Sequence, residues 1–251
     1  LVMNDVIKQL SNRKSIRQFT GESVSNEDLE LIIKTAQRCP TSINGQQISL
    51  VYTRDKEKIK QIAELCGGQQ QVATADVFIA ICVDFNRTIF AVEQAGEKHQ
   101  IDKSAEGILV GAVDAGIMLN AIQIAAESLG FGTTAIGAVR NEPASMIELL
   151  GLPAKTFPIV GTTIGVPTKE AKEAPLKPRI PIDSFAFEDK YDDKKVKDGV
   201  LLYEKQMKKF RVDHNMNYLQ SYCEQTANYY KNIYFRKIEE NYTKQGFVFK
   251  D

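Results

Sequence analysis

The run from Gly107 to Gly130 most strongly constrains how this chain folds, because it is almost continuously apolar and rich in Ala and Gly. It is long enough to cross a bilayer, but polar residues interrupt it, among them Asp114, Asn120, Gln123 and Glu127. Such groups are costly in hydrocarbon. A helix that is apolar almost all round has to be surrounded by protein. We therefore predict a core helix over 107–129, at the centre of a domain or at a close subunit contact.

Helices and strands alternate irregularly around this segment, which predicts an α+β fold. Apolar, β-rich runs predict strands at 48–53, 77–83, 132–139 and 159–166. The second run has no polar residue and is typical of a strand buried on both faces. Short helices are predicted around Val6–Leu10, from Ser25 with a capping box, over 55–66, and over 143–150 with Asn141 as cap.

Composition changes along the chain and predicts a core followed by an extension. Residues 1–170 are expected to form the core, with a mobile helix or lid near 84–105, where the sequence is polar. Lys, Glu and Pro then dominate up to Pro181. The tail, up to residue 251, has too little apolar content for a core of its own. We expect residues 171–251 to wrap around the core or a partner subunit.

Overall charge excludes some function classes. Lys plus Arg number 32 and Asp plus Glu number 32, so no global field attracts nucleic acid or a membrane.

Four cysteines without a Cys-x-x-Cys pair, together with two histidines, argue against a metal site and a disulfide framework. The first residues contain no apolar stretch of signal-peptide length, and we interpret Leu1-Val2 ahead of Met3 as a cloning remnant. We expect a cytoplasmic protein with reduced thiols.

Two basic segments are candidate anion sites. Arg13, Lys14, Ser15 and Arg17 place three cations and a hydroxyl within five residues. A phosphate prefers such converging, charge-assisted donors. Lys177-Pro178-Arg179 lies in a stretch stiffened by prolines. Taken alone, the first segment is more simply interpreted as a solvated turn and the second as a surface linker.

Motifs for the common catalytic machineries are absent from the sequence. Gly130-x-Gly132 follows a helix instead of a strand, so it does not match the dinucleotide-binding fingerprint. We find no P-loop and no nucleophile elbow. With two histidines there is little acid–base machinery, which favours chemistry carried by a cofactor.

Five blocks in fixed order identify the chain as similar to a known family: RKSIRQF, PTSINGQ, GGQQQV, AIGAVRN and KPRIP. Their order resembles the nitroreductase superfamily, in particular its oxygen-insensitive NADPH-dependent nitroreductase and flavin reductase subgroup. The resemblance covers essentially the whole chain. It departs from the subgroup at Ile43-Asn44-Gly45 and at Arg13-Lys14. It implies a dimer with a mixed sheet flanked by helices, a long central helix and a helical C-terminal extension.

The resemblance also implies the site residues. Those expected to bind FMN are Arg13, Lys14, Ser15, Arg17, Ser42, Asn44, Gln46, Gln69, Ile136, Gly137, Lys177 and Arg179. Of these, Ser42, Asn44 and Gln46 would reach the flavin of the neighbouring subunit, and Gly137 would bring its backbone N–H to the flavin edge. Gln71, Arg140, Lys208 and Arg211 are expected to contact NADPH or substrate, with Lys205 and Lys209 beside them. These helical lysines equally suit a solvated face.

The implied activity is hydride transfer from NADPH, or NADH, to FMN N5, followed by reduction of a small acceptor such as a nitroaromatic, a quinone or a flavin. No side chain is predicted as a catalytic group, because the cofactor carries the chemistry. Three alternatives stay open at this point. They are a reductase that supplies free reduced FMN, a flavin-binding protein with little turnover, and an anion-binding module without redox chemistry.

Overall fold

The computed structural model describes residues 3–249, so Leu1 and Val2, the predicted remnant, lie outside the described residues. Two compact units are present: residues up to Glu173 together with those from Phe235 onward, and Ala174–Tyr234. The first unit contains α1 Asp5–Ser11, α2 Asn26–Ala36, β1 Ile48–Thr53, α3 Lys56–Leu65, α4 Gln70–Ala73, β2 Val77–Asp84, α5 Asn86–Gln94, α6 Ala105–Ser128, β3 Gly132–Ile136, α7 Pro143–Leu150, β4 Thr156–Gly165 and α8 Lys169–Glu173. The second contains α9 Asp193–Asp213 and α10 Tyr222–Tyr230, and α11 Ile238–Lys244 belongs to the first.

The sheet has four strands in the order β1-β2-β4-β3, and every neighbouring pair is antiparallel. Strand β2 is central, and its residues Val77–Val83 are buried, which confirms the prediction of a strand covered on both faces. The bounds predicted for β1 are confirmed. Strand β4 begins at Thr156, three residues before the predicted start.

Two sequence predictions around β3 are wrong. The strand ends at Ile136 and not at 139, because residues Gly137–Arg140 form a 3₁₀ turn. Asn141 does not cap α7: Glu142 is the N-cap residue and makes no side-chain capping bond. The Asn141 amide instead donates to the Leu65 carbonyl at 3.0 Å, so a contact with α3 takes its hydrogen-bonding capacity.

Helices cover both faces of the sheet. On one face, α2 and α6 pack their apolar residues against Ile79 and Ile81. Helix α2 begins at the predicted place, where Ser25 Oγ accepts from the Asp28 N–H at 2.9 Å. On the other face, α3, α4 and α7 pack against Phe78 and Ala80. The fold is thus α+β, as predicted, with a central sheet that is covered by helices on both faces.

Helix α6 confirms the predicted long core helix, and among the described helices it alone is long and apolar enough to cross a membrane. It instead packs on the sheet, with Asp114 and Gln123 buried inside the protein. One stripe of α6 is solvent-exposed and carries Leu109, Ala112, Val113 and Gly116.

Residues 84–105, predicted as a lid, contain α5 and the 3₁₀ turn Ile101–Lys103. His99 and Lys155 both contact the buried Asp102 carboxylate, at 2.7 and 2.5 Å. Burial alone raises the pKa of Asp102, but these two partners outweigh it and hold the pKa below its usual value. This end of the segment is therefore held by a buried polar cluster.

Residues 171–251, predicted as one extension, divide between the two units. Within the second unit, α9 packs against the 3₁₀ turn Ile182–Ser184, and Tyr203 lies edge-on to Tyr222 with ring centroids 5.1 Å apart. From Phe235 onward the chain belongs to the first unit, where Tyr242 packs on Phe157 with ring centroids 4.5 Å apart.

Candidate functional site

The basic segment near the N-terminus is anchored on β3. Ile16 N–H donates to the Thr133 carbonyl at 2.8 Å, and Thr134 Oγ1 donates to the Ile16 carbonyl. Gly132 makes this close approach possible, because a Cβ there would lie 2.6 Å from the Ile16 side chain. The segment therefore has a defined backbone position beside the sheet.

Arg13 turns inward. Its Nη2 donates to Gln123 Oε1 at 2.8 Å, and its Nε lies 3.5 Å from Glu127 Oε1. Burial raises the pKa of Glu127, although Thr133 and Arg13 act in the opposite direction. Two sides of the guanidinium are thus directed to α6.

The other members of the segment differ in exposure. Lys14 Nζ donates to the Lys172 carbonyl, and Ser15 is half-buried. Arg17 is exposed, and no hydrogen bond or ion pair of its side chain is described within residues 3–249. Arg17 is therefore the member whose charge is most available to an anion.

Two further predicted groups lie around the sheet. Gln71 Nε2 donates to Gln69 Oε1 at 2.9 Å, which pairs the two glutamines at the start of α4. Ile136 is 1% exposed, so only its backbone can meet a ligand. A Cβ at Gly137 would meet only Arg140 Nη2, at 3.6 Å. Packing within the chain therefore does not require a glycine at position 137.

The Thr41–Gln47 loop has an unusual backbone. Ile43, Asn44 and Gln46 have φ values of 50°, 55° and 52°. This left-handed region costs a residue other than glycine on the order of 1–3 kcal/mol and is most unfavourable for a β-branched side chain. The Ile43 side chain is 93% exposed, so burial does not compensate. Strain of this kind persists only where surrounding contacts impose it, and it concentrates at functional sites.

Contacts from α6 and α5 impose the loop's shape. Asp114 accepts from Ser42 N–H at 3.2 Å and from Gln47 Nε2 at 2.6 Å. Burial raises the pKa of Asp114, although its hydrogen bonds lower it in part. Arg87 donates to the carbonyls of Gln46 and Ile48. We did not predict a role for these anchors from the sequence.

A cleft of about 400 Å³ lies beside this loop. Its lining consists of Gln37, Arg38, Cys39, Pro40, Thr41, Asn44, Gln46, Ile48, Arg87 and Met118. Asn44 and Gln46, both predicted to contact flavin, are therefore at the edge of a ligand-sized space.

Within one chain, the basic segment and the Thr41–Gln47 loop lie at opposite ends of the sheet. Ile16 bonds to Thr133, which is aligned through β4 with Val77, whereas Ile48 is paired with Val83. Val83 lies six positions after Val77 on β2, or about 20 Å at 3.3 Å per residue. One chain does not bring these two groups of predicted residues together.

The predicted nicotinamide residues have other neighbours. Arg140 donates to the Ile159 carbonyl and lies over the Phe235 ring, 5.5 Å from its centroid. In the second unit, Arg211 donates to the Leu219 carbonyl at 2.7 Å, and Lys209 pairs with Asp213. Lys205 and Lys208 are exposed on α9.

Lys177 and Arg179 lie in the proline-flanked stretch of the second unit. Arg179 Nη1 is 3.5 Å from the Lys177 carbonyl, and Tyr203 Oη donates to the Pro178 carbonyl at 3.2 Å. Their predicted role beside the basic segment stays a prediction.

Comparison with known proteins identifies the family. Residues 10–166 match the nitroreductase family, and residues 177–250 match the nitroreductase family C-terminal domain. An FMN reductase [NAD(P)H] of Bacillus subtilis (strain 168) is 42% identical over 248 residues, covering 98% of each chain. An oxygen-insensitive NADPH nitroreductase of Salmonella typhimurium is 36% identical over 75% of each chain. The structure of B. megaterium NfrA2 superposes with a TM-score of 0.94 at 38% identity, covering 99% of this chain and 100% of the other.

The fold and these matches define an oxidoreductase class with a helix-flanked antiparallel sheet. The chain belongs to the nitroreductase family.

Proposed function

We propose that this protein takes hydride from NADPH onto bound FMN and then reduces a small acceptor by a ping-pong cycle. The proposal rests above all on the similarity over 98% of the chain to an FMN reductase [NAD(P)H], together with the basic segment Arg13–Arg17. The chain is an FMN-dependent NADPH oxidoreductase. Bound FMN would supply the redox chemistry, as a two-electron carrier between the nicotinamide and the acceptor.

The residues present fit FMN. Arg17 offers an exposed cation without a described partner within residues 3–249, and Ser15 adds a half-buried hydroxyl. Together with Lys14 they provide the donors that a phosphate prefers. At Gly137 the absent side chain leaves space that packing within the chain does not fill, so the backbone N–H can approach a planar ring.

We propose a homodimer with two FMN sites, each completed by the Thr41–Gln47 loop of the second subunit. Two observations support it. The basic segment and this loop lie about 20 Å apart along β2 in one chain, at 3.3 Å per residue. The exposed stripe of α6 carries Leu109, Val113 and the small residues Ala112 and Gly116, which allow close helix approach.

Nitroaromatics, quinones and flavins are the proposed acceptors. The relatives include an oxygen-insensitive NADPH nitroreductase and a Vibrio harveyi NADPH-flavin oxidoreductase, which supports an enzyme that reduces planar, electron-poor compounds. We assign NADPH as the donor. For its additional phosphate we propose Arg140 as one contact and, separately, Lys208 and Arg211 on α9 as another. The four cysteines are free thiols, which supports a cytoplasmic location.

The absorbance spectrum of the purified protein, before and after anaerobic NADPH, tests the proposal. We expect a flavin spectrum that bleaches on addition of NADPH and recovers on addition of a quinone. A coloured protein that does not bleach would instead be a flavin carrier. A colourless protein that takes up no FMN would exclude the proposal. Turnover with free FMN, nitrofurazone and quinones then ranks the acceptors.

A further inference from the structure

Asp114 is a buried carboxylate that faces neutral donors. It lies on α6, is 2% exposed, and no ion pair of it is described within residues 3–249. Its two oxygens accept from Ser42 N–H, each at 3.2 Å, and Oδ2 also accepts from Gln47 Nε2 at 2.6 Å. Burying an unpaired carboxylate is unfavourable, so its contacts with the Thr41–Gln47 loop require an explanation.

The loop cannot hold its own shape by backbone preference. Ile43, Asn44 and Gln46 all occupy the left-handed region, which residues other than glycine avoid. Internal hydrogen bonds are few: Asn44 N–H donates to the Thr41 carbonyl, Gly45 N–H to the Ser42 carbonyl and Gln46 N–H to Thr41 Oγ1. External contacts must therefore impose the conformation.

Asp114 and Arg87 act on different parts of the loop. Asp114 binds the loop at Ser42 and Gln47, near its two ends. Arg87 donates to the carbonyl of Gln46, the last of the three loop residues with a positive φ. Gly45 packs against the Gln47 amide, since a Cβ at Gly45 would lie 2.2 Å from Gln47 Oε1. The hydrogen bond from Gln47 to Asp114 therefore also holds the Gln47 amide in its place against Gly45.

We infer that Asp114 is a positioning residue that holds the Thr41–Gln47 loop in its strained form, so that Ser42, Asn44 and Gln46 meet the flavin. This inference rests on the proposed function, because it assumes that the loop contacts FMN. Asp114 acts through the backbone of Ser42 and the side chain of Gln47, not through contact with the cofactor.

The test measures the FMN dissociation constant of the apoprotein, from quenching of flavin fluorescence, together with the melting temperature. Asp114→Ala leaves two donors without an acceptor, and we expect FMN to bind at least about tenfold more weakly. Asp114→Asn keeps an oxygen that accepts from Ser42 N–H, so its constant should stay within about threefold of wild type. Ile122→Val, a fully buried position on the same helix, is the matched control for lost stability.

A glycine rescue separates positioning from general destabilisation. Ile43→Gly in the Asp114→Ala background removes the cost of a positive φ and should recover at least about threefold in FMN affinity, without restoring the melting temperature to the same degree. If Asp114→Ala does not fold, Gln47→Leu removes one donor from the same contact and is expected to weaken FMN binding in the same direction.

Two results would contradict different claims. If wild type binds FMN, and the FMN dissociation constants of Asp114→Ala and Ile122→Val are equal, Asp114 has no positioning role. The proposed function is then unaffected. If wild type itself binds no FMN, the proposed function fails.

Discussion

The guanidinium of Arg13 is hydrogen-bonded to the side-chain amide of Gln123, with 2.8 Å between Nη2 and Oε1. This bond joins the segment predicted to bind phosphate to the central helix, 110 residues away in sequence. Arg13 therefore has a part in the fold as well as its predicted part in cofactor binding, whereas Arg17 is exposed.

Arg13 and Arg17 are expected to respond differently to replacement by alanine. Arg17→Ala should weaken FMN binding by about ten- to a hundredfold, the value of one charge-assisted hydrogen bond, and leave the melting temperature of the apoprotein unchanged. Arg13→Ala should weaken FMN binding and also lower the melting temperature, because Gln123 and Glu127 each lose one of their partners. Flavin titration and thermal unfolding measure the two effects. Unchanged FMN affinity in Arg17→Ala would contradict the phosphate assignment.

Two lysines on α9 test the proposed preference for NADPH over NADH. If Lys205 and Lys208 attract the additional phosphate of NADPH, replacing both with alanine should raise KM for NADPH about tenfold and leave KM for NADH unchanged. Lys194→Ala, on the same helix and paired with Asp198, is the matched control. Equal changes in KM for NADPH and for NADH would show that the two lysines are ordinary surface residues.

Arg140→Ala should have a second effect besides a raised KM for NADPH. Its guanidinium donates to the Ile159 carbonyl and lies over Phe235. Losing both contacts should lower stability by about 1–2 kcal/mol, measured by urea unfolding. A variant with unchanged stability and equal KM changes for both nicotinamides would leave Arg140 without either role.

A charge placed in the exposed stripe of α6 tests whether this stripe forms the proposed dimer interface. Val113 is 58% exposed, so Val113→Asp is tolerated in an isolated subunit but unfavourable in an apolar interface. We expect the variant to be monomeric by light scattering and to lose FMN, since each proposed site needs the second subunit's loop. Glu106→Asp, a conservative change at an exposed α6 residue, serves as the control. A Val113→Asp dimer with full flavin would place the interface elsewhere.

The lowered pKa of the buried Asp76 carboxyl predicts how the stability of the fold depends on pH. Burial alone raises its pKa, but the backbone N–H of Val24 and the charges of Lys56 and Arg54 outweigh burial and hold the pKa below its usual value. A carboxylate with a depressed pKa stabilises the fold above its unfolded pKa of about 3.9, and this contribution is lost as pH falls through the folded pKa.

Asp76→Asn should therefore reduce stability by about 1–3 kcal/mol at neutral pH and lose less than wild type on acidification. Thermal unfolding between neutral and acidic pH measures this. Asp5→Asn is the control, because the Asp5 side chain is fully exposed. Parallel curves for wild type and Asp76→Asn would show that another group controls the acid response.

Local patterns in the sequence were sufficient for much of the fold. The bounds of β1 and the capping of α2 by Ser25 follow from neighbouring residues, and so does the helical character of α6. Apolar periodicity and capping act over a few residues, so they can be read without knowing what packs against them. The five ordered blocks added the family.

The tertiary structure alone decided which distant residues meet. Asn141 was predicted as a helix cap, but it bonds to Leu65, 76 residues away. Asp114 appeared in the sequence only as a polar interruption of an apolar helix, yet it holds a loop 72 residues distant. The sequence by itself determined elements whose causes are local. Their pairing, the strained loop and its anchors depend on long-range packing, because a hydrogen bond between distant residues leaves no periodic trace in either segment.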